Sequence, residues 1–184
     1  MSREILVTGF VGDRGAKALY EAHRGELERM FAPGYLGMYR EDGKSDKKAA
    51  ESVKSLISGL SEWAVELDAY SICQGLWALS EALQTGFSVQ LREIPVRQEA
   101  IEVCNALDAD PYSLDSTGCV LFVTEDAAEC IRVLREAGME AVRIGVLRAD
   151  RKKILLRGDE ERFLNRPKGL RRELSVKSDE CGIA

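Results

Sequence analysis

The residues best placed for chemistry stand near the start of the chain, in Thr8-Gly9-Phe10-Val11-Gly12-Asp13-Arg14-Gly15-Ala16. Glycines recur at every third position: Gly9, Gly12 and Gly15. Glu4 to Thr8 before them reads as a strand. Ala16 to about Phe31 after them reads as a helix, with Leu19, Leu27 and Met30 apolar. A strand, a glycine turn and a helix N-terminus aim backbone N–H groups and the positive end of the helix dipole at an anion. The spacing is neither the dinucleotide fingerprint nor the P-loop. The plain alternative is a tight turn that needs positive φ. Asp13 and Arg14 project outward from this turn, as polar contacts for a ligand or as charges facing water.

The other chemistry-bearing side chains are dispersed. Cys73, Cys104, Cys119, Cys130 and Cys181 are odd in number, lack a CxxC pair and fall in several cases on apolar faces. They read as free thiols of a reducing compartment. His23 lies in a helix with no evident Cys or carboxylate partner, so it reads as a surface side chain. No carboxylate cluster has ligand spacing, so no metal site and no catalytic residue is assigned. The pattern does not assemble a self-sufficient enzyme.

The elements that must position the turn follow from periodicity. The clearest is Cys119 to Leu147, where the apolar run Cys119 to Val123 reads as a strand. Asp126 and Glu129 suggest a capping box, and Ile131, Leu134 and Ala137 recur at helical spacing. Gly138 stands at the C-cap and Val142 to Leu147 is a second strand. Together they form a βαβ unit, with a right-handed crossover if both strands share one sheet. Ala32 to Lys48, with Pro33 and several glycines, reads as a surface connection, whose Tyr35 and Tyr39 would suit a lid. Helices are expected over Ala49 to Leu60, Gln74 to Leu83 and Gln98 to Leu107. Strands are expected over Trp63 to Leu67, Ser88 to Leu91 and, at an edge, Lys153 to Leu156, with a turn at Gly158 to Glu161.

The 184 residues, 45% hydrophobic and 31% charged, suit one medium domain over residues 1–170, followed by a polar tail over 171–184. A net charge of −5 argues against nucleic acid and anionic membranes as partners. No apolar run approaches the ~18 residues of a membrane helix, and the N-terminus has no signal-peptide pattern, so a cytoplasmic location is expected.

The stretch GFSVQLREIPVRQEAIEVCNALDADPYSLDSTGCVLFV resembles the C-terminal domain of the AIR synthase-related (PurM-like) family. That family includes aminoimidazole ribonucleotide synthetase, thiamine-monophosphate kinase, selenophosphate synthetase and a hydrogenase-maturation protein. The resemblance is carried by Ile94-Pro95-Val96, Val103-Cys104, Asp108 to Leu114, and Ser116-Thr117-Gly118. Thr8 to Ala16 is similar to the "GxxGDHG" turn of the hydrogenase-maturation branch, with Arg14 in place of its histidine. Ile144 to Leu147 matches an "IGEV" strand, and Asn165 to Gly169 is like an "RPxGDEL" segment. Two departures stand out. The family's "DAT(R/E)GG" segment corresponds to Asp68-Ala69-Tyr70-Ser71-Ile72-Cys73-Gln74-Gly75, which keeps only the Asp, the Ala and one Gly. Cys181 also lacks the Pro-Arg context of the branch's terminal cysteine.

The resemblance implies an α/β (α+β) fold, a mixed sheet flanked by helices with partly ferredoxin-like topology. Family members carry an N-terminal domain that supplies metal-binding aspartates and most of the nucleotide site, and the chain begins at the second domain. The expectation is therefore a catalytically degenerate domain that binds a phosphorylated or nucleotide-like anion. The candidate ligand residues are Gly9, Gly12, Asp13, Arg14, Gly15, Asp68 and Gly75. No cofactor is required by the pattern; ATP or another phosphate-containing molecule is the ligand class. The expected partner is a second copy or a separately encoded domain, the alternative being a subunit of an ATP-dependent enzyme of this family.

Overall fold

The computed structural model describes residues 2–40 and 46–169. Strand β1 (Glu4–Thr8) leads into α1 (Asp13–Ala22) and α2 (Arg24–Met30). After a 3-10 turn (Gly37–Arg40) come α3 (Asp46–Ile57) and β2 (Trp63–Glu66). The chain continues through α4 (Ile72–Leu83), β3 (Gly86–Gln90), α5 (Gln98–Ala106), β4 (Val120–Thr124) and α6 (Ala127–Glu136). It ends its regular structure with β5 (Ala141–Arg148), β6 (Lys153–Arg157) and β7 (Glu160–Phe163).

The seven strands form one sheet in the order β2-β4-β1-β5-β3-β6-β7. It is mixed, because β3 and β6 pair in parallel while the other neighbours pair antiparallel. β4 and β5 do share the sheet and run the same way, but β1 lies between them, antiparallel to both. The expected βαβ unit is thus a split one, the ferredoxin-like element of the α/β fold.

Alternation along β4 explains the layering. All five of its residues are buried. Leu121 and Val123 face a core with α4, through Ile72, Leu76 and Leu79. Val120 and Phe122 face the opposite core with α3 and α6, through Val53, Ile57, Cys130 and Leu134. A third core joins α1, α2 and α5 through Ala16, Tyr20, Leu27, Ala100 and Val103.

The ends of the helices follow local chemistry. Ser71 and Gln74 make a reciprocal capping box at the start of α4. Asp126 accepts from Glu129 N–H at the start of α6. At the other end of α6, Gly138 has φ 74°, and the Gly138 and Met139 N–H groups close back on Arg135 and Leu134 at 2.9 Å. That is the paired closure of a Schellman motif.

Three expectations need correction. The first helix is not continuous to Phe31: His23 leaves the helical region (φ −119°, ψ 24°), and Gly25 follows at a position of low helix propensity. The connection after Phe31 is not simply solvated, since Leu36 and Tyr39 are buried in the third core. Gly158 to Glu161 is not only a turn, because β7 begins at Glu160 and makes β6 an inner strand. β7 was hidden because its sequence, Glu-Glu-Arg-Phe, is that of an edge exposed on both faces. The proposed tail over 171–184, with Cys181, lies outside the described residues.

Cys73 reports on how α4 sits on the sheet. Burial, and then the Asp110 carboxylate, push its thiol up to about 12. Iodoacetamide at pH 8 should leave Cys73 unmodified in the folded chain and label it in urea, as read by peptide mass spectrometry. Equal labelling in both states would contradict the packing. The ordinary thiol value is 9.0, so this group's contribution to stability is intact below about pH 9 and is lost as pH rises toward 12.

Candidate functional site

The glycine turn is held in place by backbone and hydroxyl groups from two other segments. Val11 N–H donates to the Pro95 carbonyl at 2.8 Å, and Gly15 N–H to the Asp115 carbonyl at 3.0 Å. Gly12 N–H donates to Ser116 Oγ at 2.9 Å. Ser116 is fully buried; its own N–H donates to the Tyr70 carbonyl and its carbonyl accepts from Cys119 N–H. The neighbouring Thr117 Oγ1 accepts from Ala69 N–H at 2.8 Å and donates to Asp115 at 2.6 Å. One short segment, 115–117, therefore fastens the glycine turn, the 68–70 loop and the approach to β4.

This explains the glycines in part. Gly12 caps α1 with φ 74°, and a Cβ there would run into the Pro111 carbonyl. At Gly15 a Cβ would stand 2.6 Å from the Leu114 Cβ. Both lie where α1 presses on residues 111–115, and their N–H groups are bonded to protein. Gly9 instead borders an open cavity of about 460 Å³ together with Asp13 and Arg14. Gly75 is on the buried side of α4, where a Cβ would meet Leu67 at 2.5 Å. Asp68 is exposed and does not line the cavity; its neighbour Ala69 reaches the lining only through Thr117.

The cavity lining mixes charged and apolar groups. Arg14 and Lys17 on α1 and Arg97 at the N-cap of α5 are its cations, and Asp13 and Glu140 its carboxylates. Phe10, Met38, Val53 and Met139 are apolar members of the same lining. Asp13 organises the charges: its carboxylate accepts from Tyr39 OH at 3.1 Å and lies 3.4 Å from Arg97 Nε. Burial, and then the Asp13 charge, hold the Tyr39 hydroxyl well above the ordinary phenol range, so it stays a donor. The Arg97 guanidinium sits over Phe10, 4.0 Å from the ring centroid. Its Nε is buried and, despite the ion pair, makes no hydrogen bond among the described residues.

Of the residues singled out from the sequence, Gly9, Asp13, Arg14 and the lid candidate Tyr39 line this cavity, and Lys17 and Arg97 line it without having been singled out. Lys17 was findable, being one turn beyond Arg14 on the same helix face. Arg97 directly follows the Ile94-Pro95-Val96 motif that anchors the turn. Tyr39 is buried rather than a solvated loop residue, since it packs in the core that α1 and α5 share. His23 is exposed beside Glu26, and among the described residues no group of three or more His, Cys, Asp or Glu could hold a metal ion.

No family model matches the chain. A hydrogenase expression/formation protein of Methanocaldococcus jannaschii is 24% identical over 162 residues, which are 83% of this chain and 44% of that protein. The crystal structure of Escherichia coli HypE, a hydrogenase maturation protein, superposes with a TM-score of 0.72 at 19% identity, over 91% of this chain and 50% of that one. HypE in complex with ATP gives 0.70 at 23% identity, over 93% and 52%. The fold is thus the AIR synthase-related, hydrogenase-maturation-like one that the sequence resemblance implied. The chain spans about half the length of these relatives. No helix among the described residues is long and apolar enough to cross a membrane.

Ser116 tests the fastening. Ser116→Ala leaves the Gly12 N–H buried without its acceptor, at a cost of about 1–3 kcal/mol in urea unfolding. A loss below ~0.5 kcal/mol would mean that the turn is not held by this contact.

Proposed function

We propose that this domain binds a phosphorylated or nucleotide-like small molecule in the cavity beside the N-terminus of α1. The carrying observation is that Arg14, Lys17 and Arg97 line that cavity, outnumbering its carboxylates Asp13 and Glu140, in a chain of net charge −5. Guanidinium and ammonium groups together suit a phosphate, the first as a fork and the second as a point charge. Gly9, Asp13 and Arg14 border the ligand in this reading. Gly12 and Gly15 set the turn behind it, Asp68 lies outside the lining in the loop whose Ala69 N–H donates to Thr117, and Gly75 lets α4 pack against Leu67. ATP belongs to the ligand class, and HypE, a structural neighbour, has been seen with it. Residues 1–170 act as the working unit in cytoplasmic small-molecule or cofactor metabolism, and its task is binding rather than unaided turnover.

A second reading is assembly, with another copy or with a partner that completes an ATP-dependent enzyme of this kind. It is favoured by β7, the last strand of the sheet, which is exposed throughout and carries Phe163 at 66% exposure. An apolar side chain so placed beside an open strand edge suits an interface. Sedimentation should then show an assembly at tens of micromolar that Phe163→Lys dissociates. A monomer at all concentrations, with no partner-dependent change, would count against it.

The binding reading is tested by thermal unfolding with inorganic phosphate, pyrophosphate and ATP. At a hundredfold excess over Kd, a bound ligand stabilises by about 2.7 kcal/mol and should raise Tm by about 5 °C or more. Arg14→Gln with Lys17→Gln should abolish the shift. No concentration-dependent shift with any of the three would refute the reading.

A further inference from the structure

Away from the cavity, part of the sheet has a face that no core claims. Residues opposite one another in neighbouring strands point to the same side. Val146, Ser88, Ile154 and Phe163 stand in such a row across β5, β3, β6 and β7. Leu156 lies two positions beyond Ile154 on β6 and shares their side. Phe87, Val89, Leu147 and Leu155, which alternate with them, point the other way, into the core with α4. Val146, Ile154, Leu156 and Phe163 belong to none of the three cores. The row is uneven in height. Phe163 stands out at 66% exposure, whereas Ile154 is buried and the smaller Ser88 and Val146 are partly buried.

We propose that a second copy of the chain packs on this face, sheet against sheet, about a two-fold axis. This rests on the assembly reading above, and it places the contact on the broad face instead of the open strand edge. Relief and charge both select a second copy. A two-fold reverses the row, so the projecting Phe163 of one copy lies over Ser88 and Val146 of the other, and the same contact is made twice. A chain of net charge −5 repels its own copies over much of its surface. Around this row the charges are matched. Glu4 pairs with Arg143 at 2.6 Å and Arg148 with Asp150 at 2.8 Å. Glu161, opposite Leu156, and Lys152, just before β6, flank the row with opposite signs. A copy can approach here without gathering uncompensated charge, while a strongly charged partner would find no field to steer it.

The test is analytical sedimentation of the full chain over a wide concentration range. The unaltered chain should form a dimer at tens of micromolar. Ser88 lies on β3, two strands inside the β7 edge, where an edge-to-edge contact would not reach it. Ser88→Lys brings two ammonium groups into the proposed interface and should raise the dimer Kd about a hundredfold. Leu156→Lys should do the same. Circular dichroism melting identifies which variant is folded, and either one suffices. Arg162→Glu, on the opposite side of β7 with Leu155, should leave the dimer Kd unchanged. A dimer that survives Ser88→Lys and Leu156→Lys would overturn the assignment while the assembly reading stands. A chain that stays monomeric at every concentration would also overturn it, and would leave that reading only its separately encoded partner.

Discussion

The arrangement of the site depends on one buried hydroxyl. Ser116 Oγ accepts the Gly12 N–H, while the backbone of the same residue bonds to Tyr70 and Cys119. Without that acceptor the N-cap of α1 would have a donor facing protein with nothing to meet it. Because the first turn of α1 also carries Asp13 and Arg14, and Lys17 follows one turn later, the positions of these charges are set from Ser116 outward. The Ser116-Thr117-Gly118 segment ends where β4 begins, so they are tied to the most buried strand of the sheet.

The glycine turn therefore has two jobs divided along its length. Gly12 and Gly15 allow a helix to lie directly on residues 111–115, and the N–H groups of this inner half are bonded to protein. Gly9 and Phe10, with the side chains of Asp13 and Arg14, face the cavity. A motif that reads as a single anion cradle is in structure half packing device and half cavity lining. The charge comes from side chains, one of which, Arg97, arrives from α5.

Much of the fold was legible. The split βαβ unit from Cys119 to Leu147 was visible because its strands are continuous apolar runs, and its helix has both an Asp cap and a glycine stop. α4 was visible from leucine spacing alone. β7 was not, because a strand wet on both faces leaves no periodic signal. The burial of Tyr39 was not, because the segment around it has glycines and a proline that resemble a loop, and only the tertiary contact with α1 and α5 buries it. The site was half legible for the same reason. Residues of the turn share a motif, whereas Arg97 and Tyr39 are brought to it by the folding of distant segments.

The place of β1 has a consequence for how the molecule is made. Both neighbours of β1 (Glu4–Thr8), β4 and β5, come more than a hundred residues after it along the chain. Ile5, Leu6 and Val7 have no lasting shelter until those strands arrive and enclose them. Loop closure over that span is slow and must precede the reward of burial. Until β4 and β5 are made, a growing chain thus presents Ile5, Leu6 and Val7 without their strand partners, the kind of exposed apolar stretch that chaperones bind.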